Sequence, residues 1–409
     1  MKSLIKFSFF IFFTSLFTYA QATQNFRVTG NIKGIVPGDT LEFYKILLPE
    51  WDYEKAYTII VKDNDNFILQ AKQPHTQIYR MTYKPVTDNF IPPRHTWGVD
   101  IMARDGDNIV ISGERDRLYS SIRSGGVFDD DNLQKLYHLR DSLEVEQNKI
   151  DNLFNLAKEA QDSAKMDEYG NALNNWYAKE EYTLAYNCSN EFLKTTIDSE
   201  WIAYSIMNRM NEHSLNYIES WYNRLTSGVK KSYFGKMAAE QIEKKKNTPF
   251  EQAPDFTVTM LDGSTASLKD FAGSYLLLYK WGFCPGTFLI DKDVLRLFST
   301  YKDNGLKIIG VGLHIDALKE TLKTAKPGTL VQGVDLKQAI EGIFSHPWKD
   351  ADLEKEYNLQ IEKDYGMEDV RPNFAFISPD GKVISKGHSS FRIAQEILEE
   401  EFGKNPIVK

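Results

Sequence analysis

The chain carries two thiols in 409 residues, Cys188 and Cys284. Two cysteines are too few to staple a protein of this size, so each is weighed as an individual group. Cys284 stands in Trp281-Gly282-Phe283-Cys284-Pro285-Gly286-Thr287. Ahead of it, 275–281 is an apolar run that reads as a buried strand and breaks at Gly282. Behind it, 288–301 is amphipathic, and Gly305 ends that helix well. A cysteine at such a junction points its sulfur at the first N–H groups of the helix. Their partial positive charge favours the thiolate, the form that attacks disulfides. Cys188 lies in Tyr186-Asn187-Cys188-Ser189, within a helical stretch. A lone helical Cys reads as a small core residue. The sharper alternative makes it a resolving thiol for Cys284. That requires Cα atoms within about 7 Å, and nothing in the sequence specifies such docking.

The elements that position these groups fall into regions of different pattern. Lys2 and Lys6, the Phe-rich apolar stretch 7–17 and the small residues around Ala20 and Ala22 form a secretory signal peptide, 1–22, cleaved after Ala20 or Ala22. The apolar run is too short to span a bilayer. The mature protein is therefore expected to be exported to the periplasm or cell envelope, soluble, without a membrane span, and in an oxidising compartment. From 23 to 125, short alternating runs (26–30, 41–44, 57–61, 66–69, 78–83 and 108–111) are bounded by Gly, Pro, Asn and Asp. They predict a small antiparallel β-sandwich. His75 and His95 are isolated in it, without a second metal ligand.

From 129 to 247 the period becomes helical. Leu133, Leu136, Leu139 and Leu143 share a face, Asp131 or Asn132 can cap the first helix, and Lys244-Lys245-Lys246 suits a helix C-terminus. Residues 248–254 read as a hinge. From 253 to 402 strands and helices alternate: the runs 275–281 and 306–311, helices over 316–323 and 391–402, and a hairpin from 373–377 through Ser378-Pro379-Asp380-Gly381 to 382–385. The whole is read as a multidomain α+β protein: an N-terminal β-sandwich, a helical linker and a C-terminal α/β sandwich. A net charge of −8 gives no reason to expect nucleic acid or an anionic membrane as partner. His314, His346 and His388 have no ligand-like spacing, so no metal and no cofactor is assigned.

The C-terminal region resembles the thioredoxin superfamily, in particular its TlpA-like and AhpC/TSA-like branches. Four features occur in the order of that family. They are Ala253-Pro254-Asp255-Phe256 with Leu261-Asp262-Gly263 and Leu268, the strand leading to Cys284, Arg371-Pro372 in the place of the family's cis-proline, and the hairpin 376–382. The upstream layout, carried by 109–114 and Gly125-Gly126, is similar to Bacteroidetes-type envelope proteins whose β-rich domain has no known function. The resemblance implies thiol–disulfide chemistry on protein substrates.

Two departures narrow that implication. The family's motif is W-C-x-x-C, and Thr287 stands at the second cysteine, so Cys284 cannot resolve a mixed disulfide within its own motif. The peroxiredoxin pattern is also broken, with Leu277 at its proline position and Trp281 at its hydroxyl position. Thr287, one helical turn beyond Cys284, could hydrogen-bond the thiolate, or be a simple polar replacement. Arg371, beside the proline, could stabilise the thiolate, or pair with Asp369 or Glu368 at the surface. The sequence therefore supports a single-cysteine oxidoreductase with Cys284, Thr287, Arg371 and Pro372 at its site and a second thiol supplied in trans. The alternatives are a degenerate thioredoxin-like module that binds a peptide or partner without turnover and, third, a thiol peroxidase. Oligomeric state is left open.

Overall fold

The computed structural model describes residues 24–86, 98–177 and 196–404, apart from 327, 332–333, 356–357 and 369–371. The chain divides into two compact units, one ending at Leu118 and the other starting at Tyr119. In the first, β1 (Gln24–Lys33) lies between β4 (Asn66–Gln73) and β7 (Asn108–Glu114). A second sheet runs β3 (Asp52–Ile60), β2 (Thr40–Leu47), β5 (Gln77–Lys84), β6 (Val99–Ala103). The alternation in β4 is strict, every second side chain being buried, as a half-buried strand requires. The inner faces meet through Phe26 stacked on Tyr79 and through Phe43 edge-on to Phe67. The ladders are antiparallel as expected except β1–β7, which is parallel. Its partners lie at opposite ends of this region, so no tight turn dictates their relative direction. Strand β6 was not singled out in the sequence.

The second unit begins with helices α1 (Asp131–Glu159), α2 (Ser163–Tyr177), α3 (Glu200–Asn208), α4 (Leu215–Arg224) and α5 (Tyr233–Asn247). The cap of α1 is Asp130, one residue ahead of the expected pair; its carboxylate accepts from the N–H groups of Asn132 and Leu133. The three lysines 244–246 do occupy the last turn of α5. Cys188 lies outside the described residues.

The same unit ends in a six-stranded sheet flanked by helices. Its strands, from edge to edge, are β11 (Lys349–Asp352), β10 (Leu306–Leu313), β9 (Tyr275–Gly282), β12 (Asn373–Ile377), β13 (Lys382–Lys386) and β8 (Glu251–Gln252). The first three are mutually parallel and the others antiparallel to their neighbours. The helices are α6 (Pro285–Tyr301), α7 (Ile315–Thr324), α8 (Leu336–Ile343), α9 (Leu359–Asp364) and α10 (Ser390–Phe402). The sequence marked neither α8 nor β11, which are short and irregularly flanked. Glu396 of α10 fastens the helical segment: His213 Nδ1 lies 2.5 Å from its carboxylate, and the Ser214 N–H donates to it at 2.7 Å.

Central strand β9 is buried on both faces. Leu277, Tyr279 and Trp281 face the core shared with Val294 and Leu297 of α6 and Leu398 of α10, whereas Leu276 and Leu278 face Ile361, Tyr365 and Met367. The indole of Trp281 lies against β10, where two glycines admit it. A Cβ at Gly312 would sit 2.5 Å from the indole, and one at Gly310 would sit 1.7 Å from a carboxylate oxygen of Asp350. Gly312→Ala is therefore expected to lower stability by about 1–3 kcal/mol through overpacking. Gly342→Ala, in α8 with open space around it, should instead add up to about 1 kcal/mol through helix propensity. Urea unfolding of the two variants measures both signs. Equal stabilities would remove the close-approach explanation.

Candidate active site

Three links place Cys284. Strand β9 delivers the chain to Gly282, Pro285 occupies the first helical position of α6, and Cys284 between them is the N-cap residue with extended φ and ψ of −149° and 150°. Proline is well suited there, because its missing N–H would be unpaired in any case. As cap, the sulfur accepts from the Thr287 N–H at 3.4 Å. The Thr287 hydroxyl stands 3.2 Å from the same sulfur, and its oxygen already accepts from the Gly282 N–H at 3.2 Å. A hydroxyl has one proton; with Gly282 supplying the bond that the oxygen accepts, that proton is free to point at sulfur. Thr287 is fully buried while Cys284 is half-exposed.

Phe283, next to the cysteine, is 41% exposed, and Leu289 of α6 is 48% exposed. Pro372 is buried, and its carbonyl oxygen lies 3.2 Å from His388 Nδ1. In the β9–β12 ladder Lys280 pairs with Asn373. Pro372 immediately precedes Asn373, at the end of the sheet where Cys284 emerges. The structure therefore brings Cys284 and Thr287 into contact and puts Pro372 at the same sheet end. Arg371 lies outside the described residues, and with it the Arg371–Pro372 peptide bond.

Two buried polar groups beneath the cysteine were not singled out in the sequence. On one face of β9, His346 is fully enclosed, with Nε2 2.9 Å from Asp291 of α6 and Nδ1 3.3 Å from Asp350 of β11. The Trp281 indole N–H donates to Asp350 at 2.8 Å, and the Tyr279 hydroxyl donates to Asp291 at 3.1 Å. On the other face Lys280, 1% exposed, reaches the Glu362 carboxylate. Asp291, two helical turns after Cys284, has a spacing that could have been noticed. His346 sits in the loop between α8 and β11, and no local pattern points to it. Of the other histidines, His314 pairs with Glu354 at the surface.

Burial opposes the charged form of His346, but the hydrogen bonds it donates to Asp291 and Asp350 outweigh it and lift its pKa to about 9. The phenol of Tyr279 is pushed well above its ordinary value, by burial first and then by the charge of Asp291. The imidazolium between two carboxylates thus persists through the neutral range.

A buried strand leading to a cysteine N-cap, a following helix, and a proline just ahead of the adjacent antiparallel strand define a thioredoxin-like domain. The chain belongs, through this C-terminal domain, to the thioredoxin-like family of thiol-disulfide oxidoreductases. A family model, "AhpC/TSA family", matches residues 249–386. The thiol-disulfide oxidoreductase ResA of Bacillus thuringiensis is 30% identical over 152 residues, 36% of this chain and 76% of the relative. Its namesake from Bacillus cereus is 29% identical over 170 residues, 41% of this chain and 82% of the relative. Among solved structures, the thioredoxin domain of a thiol-disulfide oxidoreductase from Bacteroides vulgatus is 23% identical, matching 37% of this chain and 98% of that one with a TM-score of 0.27. No helix among the described residues is long and apolar enough to cross a membrane.

A His346 pKa raised from 6.5 to about 9 stabilises the fold in full below pH 6.5, and that contribution is lost as pH rises through 9. The shift corresponds to roughly 3 kcal/mol. The Tm is expected to fall between pH 7 and 10, and His346→Gln to flatten that fall. An unchanged slope in the variant would assign the dependence to other groups.

Proposed function

We propose that the protein is an exported, single-cysteine thiol–disulfide oxidoreductase. The Cys284 thiolate attacks one sulfur of a protein disulfide. A Cys284–substrate mixed disulfide forms, and the other substrate sulfur leaves as a thiolate. A second thiol, supplied in trans, then attacks the substrate sulfur of the mixed disulfide. It forms a new disulfide with that sulfur, expels Cys284 as thiolate and completes the exchange. The observation that carries this reading is the convergence of the Thr287 N–H and hydroxyl on the Cys284 sulfur at 3.4 and 3.2 Å. A buried threonine at the second motif position keeps the sulfur solvated by fixed dipoles while removing the internal resolving thiol. The signal-like segment 1–22 supports delivery to the envelope, where protein disulfides occur. A peroxidase reading is disfavoured because Trp281 fills the hydroxyl position and its N–H is committed to Asp350.

Insulin reduction with dithiothreitol as the trans thiol tests the proposal. Cys284→Ser should fall to the uncatalysed rate. Thr287→Val should slow alkylation of Cys284 by iodoacetamide about fivefold at pH 7, the loss of a hydrogen bond worth ~1 kcal/mol. Thr287→Cys, which supplies an internal resolving thiol, should raise turnover at low dithiothreitol. Equal insulin reduction by wild type and Cys284→Ser overturns the catalytic reading. The domain would then be a binding module.

A further inference from the structure

The Lys280 ammonium group is buried in a strand whose other residues are apolar or aromatic up to Gly282. Its side chain is 1% exposed, in line with Leu276 and Leu278 on the face that packs against Tyr365 and Met367. An ammonium has three donors, and three acceptors surround it: Glu362 Oε1 at 2.5 Å, the Met367 carbonyl, and the Glu368 carbonyl at 3.0 Å. All three protons are committed. Two of the acceptors are backbone carbonyls in the segment just before Pro372. The far end of that segment is held by the same residue, since the Lys280 backbone pairs with Asn373. Lys280 thus contacts the chain at Met367 and Glu368 and again at Asn373, the residue after Pro372. Four residues later its own strand has become Cys284.

Stability alone gives no reason for this choice. A buried ion pair is often no better than well-packed apolar side chains of the same volume, because both charges must be desolvated. The neighbouring core already supplies apolar packing through Ile361, Tyr365 and Met367, and Tyr365 is separately anchored by its hydroxyl to the Pro254 carbonyl at 2.7 Å. What an apolar residue at 280 could not do is fix where the 367–368 backbone sits relative to β9. We propose that Lys280 is a positioning residue for the protein-disulfide groove, holding the Pro372 backbone in register with the Cys284 sulfur. The proposal rests on the thiol–disulfide reading above. It adds that partner recognition depends on a buried cation with no contact to the partner.

The test uses the mature chain with Lys280→Met, which keeps the side-chain length and removes the three donors, and Glu362→Gln, which removes only the paired charge. Insulin-reduction kinetics, iodoacetamide alkylation of Cys284 and amide hydrogen exchange are measured on each. Lys280→Met should raise KM for insulin about tenfold and leave alkylation within twofold of wild type. It should also speed exchange at 366–374 while β10 is unchanged. Glu362→Gln should shift KM in the same direction by about threefold. A folded Lys280→Met with wild-type KM and wild-type exchange at 366–374 overturns the positioning role, as does slowed alkylation in step with turnover. If Lys280→Met does not fold, Glu362→Gln decides on the same readouts: unchanged KM and exchange overturn the role. Insulin reduction that survives Cys284→Ser sinks the thiol–disulfide reading instead, while exchange at 366–374 still reports on the grip of Lys280.

Discussion

The C-terminal half is organised by one constraint: strand β9 is enclosed on both faces, yet must end in a polar, half-exposed sulfur. Every group within two residues of that end makes the transition. Trp281, the last large side chain, is admitted by Gly310 and Gly312 of the next strand and tied by its N–H to Asp350. Gly282 gives its N–H to the Thr287 hydroxyl, so the strand's last donor is used inside the first turn of the helix that follows. Cys284 caps that helix. The sulfur is where the sheet's hydrogen bonding hands over to the helix's, and the Thr287 N–H of the first helical turn is what it meets.

Charge is buried on both faces of the same strand, beneath this handover. On one side an imidazolium is clamped between Asp291 and Asp350; on the other an ammonium is spread over a carboxylate and two carbonyls. Each arrangement joins elements that hydrophobic packing leaves free to slide. His346 links α6 to β11 across the sheet edge. Lys280 links β9 to the chain leaving α9. Apolar contacts are nondirectional, whereas a hydrogen-bonded ion tolerates little displacement before a buried charge loses its partner. The fold therefore uses directional bonds at the level where the backbone on either side of Cys284 must be held still.

Much of this was legible in the sequence, for physical reasons that differ from residue to residue. The runs 275–281 and 306–311 announce buried strands by their largely apolar composition, and the structure extends each by one or two residues. Cys284, Pro285 and Thr287 were readable because cap, first turn and i+3 reach are local. The cap of α1 was misplaced by one residue, since Asp130, Asp131 and Asn132 are all competent caps and only tertiary context chooses. The parallel β1–β7 pair and the short elements α8 and β11 were invisible because their partners are distant in the chain or their runs too brief for periodicity. His346 and Lys280 were missed for a related reason. A histidine in a loop and a lysine in an apolar run acquire meaning only from acceptors that lie far along the chain, and no spacing rule connects them.

The replacement at position 287 changes what kind of thiol chemistry the site can run. In a two-cysteine motif the buried second thiol sets the lifetime of the mixed disulfide, because it attacks as soon as it is deprotonated. Threonine at that position offers hydrogen bonds of similar reach and cannot be oxidised. In the reading proposed here, release then depends on a thiol that must reach the mixed disulfide from outside. A long-lived adduct is a liability for a general reductant, which would stall on every disulfide it met. It suits a protein whose partner brings both the disulfide and the means of release, and for such a partner the geometry of the groove matters more than the reactivity of the sulfur. On that reading one threonine tunes the nucleophile, and the two buried charged clusters hold the frame around it.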